Sequence, residues 1–559
     1  MTTTIIVGGV AGGASCAARL RRLDAHHRII IVERGPHVSF ANCGLPYYVG
    51  SVIDDERKLL VTSPQSLTDR FALDVRVHTE ATHIDAQQRL ITLHDLATGR
   101  TYQESYDNVV LSPGAAPLRP PFPGHDLPQV YTIRNVPDAM RVRQVIDANA
   151  AQPLRAVVVG GGFIGMEMAE NLRHRDVTVD LIEGSEQIMP PLDRDMAGLL
   201  QTQAEAHGVR IHLRHMLSGV FSLASGGVRV EATGADGEAL HVEADMVVLA
   251  IGVRPESSLA KAAGCDLAER GHIIVDAQMR TSQEHIFAVG DAVQIRDVVS
   301  GQPTAVPLAG PANRQGRVAA DVIVGRSGRS AQFRGTQATA VLGAFGLTAA
   351  TTGLSLKQCR SYGIEHAVVR LHPGDHVGYY PGATPIHLQL CFHPRTRRIL
   401  GAQAVGEHGV DKRIDVIAMA IQMQATVDDL AESELCYAPQ FGAAKDAVNL
   451  AGMIAANHCD GIAPVVEIES LDSSQDLVVD VRPEPMQPAA CWPQAQHIPL
   501  TQLRDRMHEL PKDRPLAILC NVGQTAHNAT CLLRQHGFDA RTITGGERSL
   551  GLLGACQET

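Results

Sequence analysis

Cys43 stands in the run Ser39-Phe40-Ala41-Asn42-Cys43-Gly44-Leu45-Pro46-Tyr47-Tyr48, just past a glycine-rich nucleotide unit and far in sequence from any other cysteine. A thiol with no neighbouring partner cannot close a local disulfide. It turns over through a mixed disulfide, a persulfide or a sulfenic acid. The segment after it reads as a helix start, where a depressed thiol pKa is expected. A second cysteine, Cys520, follows the apolar run Leu516-Ala517-Ile518-Leu519 and heads Cys520-Asn521-Val522-Gly523-Gln524-Thr525. That strand-loop-helix pattern offers backbone N–H groups and a helix dipole to a thiolate.

The elements that must position Cys43 are legible around it. An apolar strand from Thr4 meets the turn Gly8-Gly9-Val10-Ala11-Gly12-Gly13, a helix from Ala14 through Leu23 follows, and strand Ile29-Ile30-Ile31-Val32 ends at Glu33. This is the βαβ dinucleotide pattern, with pyrophosphate at the helix N-terminus and the acid on a ribose. Its usual second glycine is Val10. A cleaner copy runs from Val157-Val158-Val159 through Gly160-Gly161-Gly162-Phe163-Ile164-Gly165 to Val179-Asp180-Leu181-Ile182 and Glu183. One such match is weak, whereas two with strand, helix and distal acid are strong. Glu183 can accept from a ribose 2′-hydroxyl and would repel a 2′-phosphate. Gly184-Ser185-Glu186 offers no arginine for such a phosphate.

A chain of 559 residues exceeds one core, so three or four domains are expected. Apolar content of 45% against 19% charged residues fits a folded globular protein. The net charge of −11 argues against a nucleic-acid surface. No apolar run reaches spanning length, and the N-terminus enters Ile5-Ile6-Val7 without a basic leader, so neither membrane span nor signal peptide is expected. Eleven cysteines without a C-x-x-C pair disfavour a zinc site and a disulfide scaffold. Most read as buried small hydrophobes, and the expected location is the reducing cytoplasm.

A third segment, Thr281-Ser282 leading to Ile286-Phe287-Ala288-Val289-Gly290-Asp291-Ala292, reads as a strand running into a Gly-Asp at a helix start. It resembles the second flavin motif of the pyridine nucleotide–disulfide oxidoreductases, whose aspartate holds the ribityl chain. The resemblance implies that the first unit binds FAD, through Gly8, Ala11, Gly12, Gly13, Glu33, Arg34, Asp291 and Ala309. It implies that the second unit, inserted into the first, binds the nicotinamide nucleotide through Gly160, Gly162, Phe163, Gly165, Glu183 and Gly252. The turns Leu111–Ala115 and Ala250–Pro255 look like the crossings between the two.

Two-cysteine members of that superfamily carry a second thiol five residues on, where this chain has Tyr48. Single-cysteine members are NADH peroxidases, water-forming NADH oxidases and coenzyme A–disulfide reductases. The first two carry a histidine in the FAD glycine turn, and the matching position here is Ala11, which disfavours oxygen or peroxide chemistry. The chain is most similar to the coenzyme A–disulfide reductases, over nearly all of residues 1–455. The similarity includes Gly9–Gly13, Ser39–Cys43, Tyr379-Tyr380-Pro381-Gly382, Asp411–Val416 and Tyr437-Ala438-Pro439. The run Val306–Arg317 resembles the branch with a C-terminal rhodanese domain, which includes the NADH-dependent persulfide reductases.

Coenzyme A is polyanionic, so an acidic protein needs a local basic patch to receive it. Arg19, Arg21 and Arg22 supply one, with Arg21 read as a solvated helix face. The resemblance implies that Ser15, Arg19, Arg22, Ser39, Asn42, Asn313 and Lys445 bind coenzyme A. A lysine position of the family is Phe71, with Arg70 beside it. Tyr379 and Tyr437 match active-site tyrosines that come from the partner subunit of a homodimer, while Tyr47, Tyr380 and Cys436 read as packing.

Beyond residue 466 the chain resembles a rhodanese domain, with Cys520 in the persulfide-carrying position. The usual arginine five residues after that cysteine is Thr525, and the usual Gly-His-Ile segment has become Pro488 to Gln496. A working sulfurtransferase and a degenerate regulatory module both stay open. The expected fold is α/β: two Rossmann-like domains (FAD, 1–112 and 250–328; NAD(H), 113–249), an α+β dimerisation domain over 329–456, a linker over 457–466, and a rhodanese-like domain over 467–559. The expected function is NADH-driven, FAD-dependent reduction of coenzyme A persulfide or disulfide through Cys43. An NADH oxidase or peroxidase, and a non-catalytic thiol sensor, are the competing readings.

Overall fold

The computed structural model describes residues 1–149, 152–224, 226–472, 474–484, 492 and 494–553. The chain forms two compact units, Met1–Glu186 with Gly208–Ala338, and Gln187–His207 with Thr339–Thr559.

The first unit contains the same fold twice. Strand Thr3–Val7 sits at the centre of a five-stranded parallel sheet, ordered Ile286–Ala288, Asn108–Leu111, Thr3–Val7, Arg28–Val32, Asp74–Arg76. Ile5, Ile6, Ile30 and Ile31 are fully buried, which is why these strands read as continuous apolar runs rather than alternating ones. The second sheet repeats the plan as Val209–Leu213, Thr178–Glu183, Arg155–Val159, Met246–Leu249, Val130–Tyr131. In both, the strand order reverses beside the central strand, and nucleotides bind at such a switch point. Each copy also carries a three-stranded antiparallel sheet, Thr79–Ser105 in one and His215–Ala244 in the other. At the expected crossings, Leu111–Ala115 and Ala250–Pro255, strands Ala115–Pro117 and Val253–Pro255 pair antiparallel with each other.

Two local readings change. The first helix starts at Ala11, not Ala14. No helix starts at Asp291: Gly290–Ala292 is a single 3₁₀ turn running into strand Val293–Arg296. Gly290 has φ 85°, and its N–H is taken by Gln315 Oε1 at 2.7 Å, so the chain leaves the helical path there.

The second unit holds a five-stranded antiparallel sheet, ordered Ala340–Ala344, Leu347–Gly353, Ile399–Gly406, Ile386–Phe392, Ala367–Leu371. Helix Arg194–Ala206 belongs to this unit although the chain enters it from within the second nucleotide fold. Its attachment is polar. Arg370 Nε donates to Asp195 Oδ2 at 2.9 Å, both side chains buried, and Asp193 accepts from Gln389 Nε2 at 2.7 Å and Leu356 N at 3.0 Å.

The C-terminal part is a five-stranded parallel sheet, ordered Val465–Val466, Ala540–Ile543, Leu516–Leu519, Leu477–Asp480, Gln496–His497. The stretch 457–466 is not a free linker. Asn457–Cys459 complete helix Ala447–Cys459, and Val465–Val466 are an edge strand. Between them, Arg534 Nε donates to the Gly461 carbonyl at 2.9 Å, and Val465 N donates to His458 Nδ1 at 3.0 Å. Small residues and Pro464 look like a break, but Ala463 and Val466 are buried, and Val466 joins the core of this part. A short helix, Leu503–Arg506, runs into a 3₁₀ turn, Met507–Glu509. Of the altered segment Pro488–Gln496, positions 488–491 and 493 lie outside the described residues.

Candidate active site

Both glycine turns are built alike. Gly8 (φ 97°) and Gly160 (φ 103°) take the left-handed region that other residues avoid. A Cβ on Gly13 or Gly165 would overlap the carbonyl of Gly8 or Gly160, so each helix starts tight against its turn. The distal acids close both turns: Glu33 accepts from Gly9 N at 2.9 Å and Gly35 N at 2.8 Å. Glu183 accepts from Gly161 N at 2.6 Å, Ser185 N at 2.8 Å and Ser185 Oγ at 2.7 Å. Arg34 is held by Glu256 at 3.1 Å and Glu80 at 3.5 Å. A Cβ at Gly162 or Gly310, at the starts of the second glycine helix and of helix Ala309–Ile323, would meet open space. Two such cradles, each with its acid in place, fit two nucleotide cofactors.

The Cys43 loop is tied to the first of these turns. Ser39 N donates to the Gly9 carbonyl at 2.8 Å, while Val61 N donates to the Ser39 carbonyl at 2.9 Å and Ala41 N to Leu59 O at 2.8 Å. Ser39 pays for this with φ 49°, the kind of backbone strain that collects at working sites. Asn42–Gly44 form a 3₁₀ turn ahead of helix Leu45–Val49, and Cys43 reaches the surface. Asn42 Oδ1 is buried without a hydrogen-bond partner among the described residues.

The expected drop in the Cys43 pKa does not occur. The protein crowded around the thiol raises it, and the carboxylates of Glu167 and Asp291 add to the rise; its backbone hydrogen bond only partly offsets them. One 3₁₀ turn and a five-residue helix supply little dipole against two carboxylates. Glu167, on helix Phe163–Arg173, is itself pushed up to about 7 by burial and then by Glu170. Tyr47 is pushed up to about 12 by burial, Glu167, Glu170 and Cys43, so it shares this environment. Asp291 is raised by burial, with Arg134 opposing. Cys16 is driven to about 12 by burial and is inert as a resolving thiol.

The basic patch is partly spent. Arg19 pairs with the fully buried Asp321 at 2.8 Å, which Arg326 also contacts at 3.2 Å. Arg21 is not a solvated side chain: it donates to the carbonyls of Phe71 (2.7 Å), Ala25 (2.8 Å), Asp24 and Ala72 (both 3.1 Å), tying down the helix end. Arg22 stays exposed. Ser15 Oγ donates to Asn313 Oδ1 at 2.7 Å, joining the two helices that carry the expected coenzyme A contacts.

In the second unit, Tyr379 and Tyr437 share a hydroxyl–hydroxyl hydrogen bond of 2.9 Å while 75% and 45% exposed. That bond, then burial, raises the Tyr437 pKa. Tyr437 lines a pocket of about 600 Å³ with Lys412, Arg413, Cys436 and Phe441. Cys436, Tyr380 and Lys445 are exposed on this chain. Cys520 is buried and its Sγ accepts from Gly523 N at 3.1 Å. Arg482 lies close to it but is committed to Asp480 (2.8 Å) and Glu547.

Glu167 was not singled out as a site residue from sequence. Glu167 lies four residues into the second glycine helix, and only its proximity to Cys43 across two elements reveals it.

Residues 2–316 match the pyridine nucleotide-disulphide oxidoreductase family, residues 340–448 its dimerisation domain, and residues 467–549 a rhodanese-like domain. The chain is 36% identical over 453 residues to the coenzyme A disulfide reductase of Staphylococcus epidermidis, covering 81% of this chain and 99% of that protein. The fold superposes on reduced CoADR-RHD of Bacillus anthracis with a TM-score of 0.93 and 42% identity, over 99% of this chain and 98% of the other. It superposes on the NAD-dependent persulfide reductase of A. fulgidus with a TM-score of 0.88 and 33% identity, over 98% and 100%. With the family match spanning both nucleotide cradles and the Cys43 loop between them, the chain belongs to the pyridine nucleotide-disulphide oxidoreductases.

Proposed function

We propose that this protein is an NADH-driven, FAD-dependent reductase of coenzyme A persulfide or coenzyme A disulfide. The observation that carries the reading is the lone Cys43, on a loop tied by Ser39 to the carbonyl of Gly9 in the first nucleotide turn. Gly8, Ala11, Gly12, Gly13, Glu33, Arg34, Asp291 and Ala309 hold FAD; Gly160, Gly162, Phe163, Gly165, Glu183 and Gly252 hold NADH. Bound FAD supplies the route by which the hydride of NADH becomes an electron pair for sulfur.

The Cys43 thiolate attacks the sulfane sulfur of the persulfide. The sulfur–sulfur bond breaks, coenzyme A leaves as a thiolate, and Cys43 carries the transferred sulfur. Two electrons and a proton then release hydrosulfide and restore the Cys43 thiolate. With coenzyme A disulfide the same attack yields a Cys43 mixed disulfide and one coenzyme A thiolate, and reduction frees the second. Ser39 and Asn42 hold the substrate beside the sulfur; Ser15, Asn313, Arg22 and Lys445 meet its polar and phosphate groups, with Arg19 acting through its pair with Asp321. Tyr379 and Tyr437 of one protomer serve the Cys43 of its partner in a homodimer, donating to the departing sulfur. Free thiols at every described cysteine suit a reducing cytoplasm.

Anaerobic stopped-flow of the flavoprotein tests the reading. NADH should bleach the flavin, and coenzyme A persulfide or disulfide should restore its colour within turnover time. Reoxidation that is rapid only with oxygen or peroxide would replace the reading by an oxidase or peroxidase.

A further inference from the structure

The segment Gly184–Glu186 contains no cation, but the fold brings one to it from the next strand. Strand Val209–Leu213 runs parallel to Thr178–Glu183 with Leu213 opposite Glu183, so both strands end at the same level. Sheets of this class take their nucleotide beyond those carboxyl ends. Arg214 is the next residue. Its N–H donates to the Ser185 carbonyl at 2.9 Å, and its own carbonyl accepts from Ala235 N at 2.9 Å. Held from both sides, it adopts φ 59°, a region that a long side chain rarely enters without such restraint. The guanidinium is 66% exposed, and its acidic neighbour is Glu186 at 3.6 Å, itself 71% exposed. A pair that open and that long is weak and readily exchanged. Glu183, meanwhile, spreads its charge over three hydrogen-bond donors.

We propose that Arg214 is a specificity-determining residue that takes the 2′-phosphate of NADPH, exchanging Glu186 for the phosphate, so that the enzyme accepts NADPH as a second donor beside NADH. The inference rests on the reading of the second nucleotide fold as the donor site. An arginine fork matches a phosphate in two directions, whereas its contact with Glu186 is single and solvent-swept. The phosphate also meets the Glu183 carboxylate, so NADPH is tolerated rather than preferred.

The test is kcat/KM for both donors with the FAD-loaded enzyme and one acceptor, in wild type, Arg214→Ala, Arg214→Lys and Glu186→Gln. Arg214→Ala should lower the NADPH-to-NADH ratio of kcat/KM by about tenfold or more, carried by the KM for NADPH. Arg214→Lys should fall between, and Glu186→Gln, which leaves the Arg214 turn intact, should raise the ratio. Ratios unchanged within about twofold in Arg214→Ala and Glu186→Gln would overturn the assignment, as would a wild type that uses NADH but not NADPH. Failure of both donors to bleach the flavin would instead overturn the donor site itself, and Arg214 with it.

Discussion

Cys43 works against its surroundings. The protein crowded around it and the carboxylates of Glu167 and Asp291 raise its pKa, whereas attack on sulfur needs the thiolate. Glu167, raised to about 7, is the neighbour whose charge changes near neutrality. Removing that charge in Glu167→Gln should speed alkylation of Cys43 by iodoacetamide several-fold at pH 8; an equal or slower rate would show that burial alone sets the thiol. The same carboxyl has a stability signature. Its pKa is higher folded than unfolded, so its contribution is intact below 4.5 and lost as pH rises through about 7. Wild type should therefore lose about 2–3 kcal/mol relative to Glu167→Gln between these limits, read as a Tm gap that widens from pH 5 to pH 8. Cys43, the glycine turns and the two acids were legible in the sequence because their chemistry lies in spacing along one segment. Glu167 and Arg214 were not, because each meets its site from another element.

Among the elements, helix Arg194–Ala206 shows what a buried charge does to packing. Its Asp195 pairs with Arg370, which crosses to it from the sheet strand Ala367–Leu371. Breaking a buried pair strands one charge at a cost of about 3–5 kcal/mol. Asp195→Ala should lose roughly that much in urea unfolding, and Asp195→Leu with Arg370→Met should recover most of it. A loss under about 1 kcal/mol in the single variant would mean that Arg370 finds enough elsewhere, in Glu467 at 3.5 Å. The elements misread from sequence share one cause. Gly461, Ala463 and Pro464 look like a linker because small residues and proline punctuate loops, yet the parallel sheet needed Val465–Val466 as its edge. Asp291 looked like a helix start because strand-Gly-Asp patterns often are, but the Gln315 hydrogen bond to Gly290 turns the chain into a strand.

The whole molecule joins a duplicated nucleotide fold to a dimerisation domain and a rhodanese-like domain. Tyr379, Tyr437 and Phe441 stand 75%, 45% and 65% exposed on one chain, an aromatic surface that a second copy would cover. Sedimentation should show a homodimer, and Phe441→Glu should weaken it and lower turnover together. A monomer with full activity would rule out a shared site. In the rhodanese-like part, Thr525 supplies no charge, Arg482 is committed to two carboxylates, and Cys520 accepts from Gly523 N. The proposed electron flow to sulfur runs through Cys43. The most direct measurement is anaerobic stopped-flow of Cys43→Ser with NADH followed by coenzyme A persulfide or disulfide. The flavin should still bleach with NADH at close to the wild-type rate, while reoxidation by either acceptor is lost. Acceptor turnover within about twofold of wild type would contradict the assignment of Cys43 as the nucleophile.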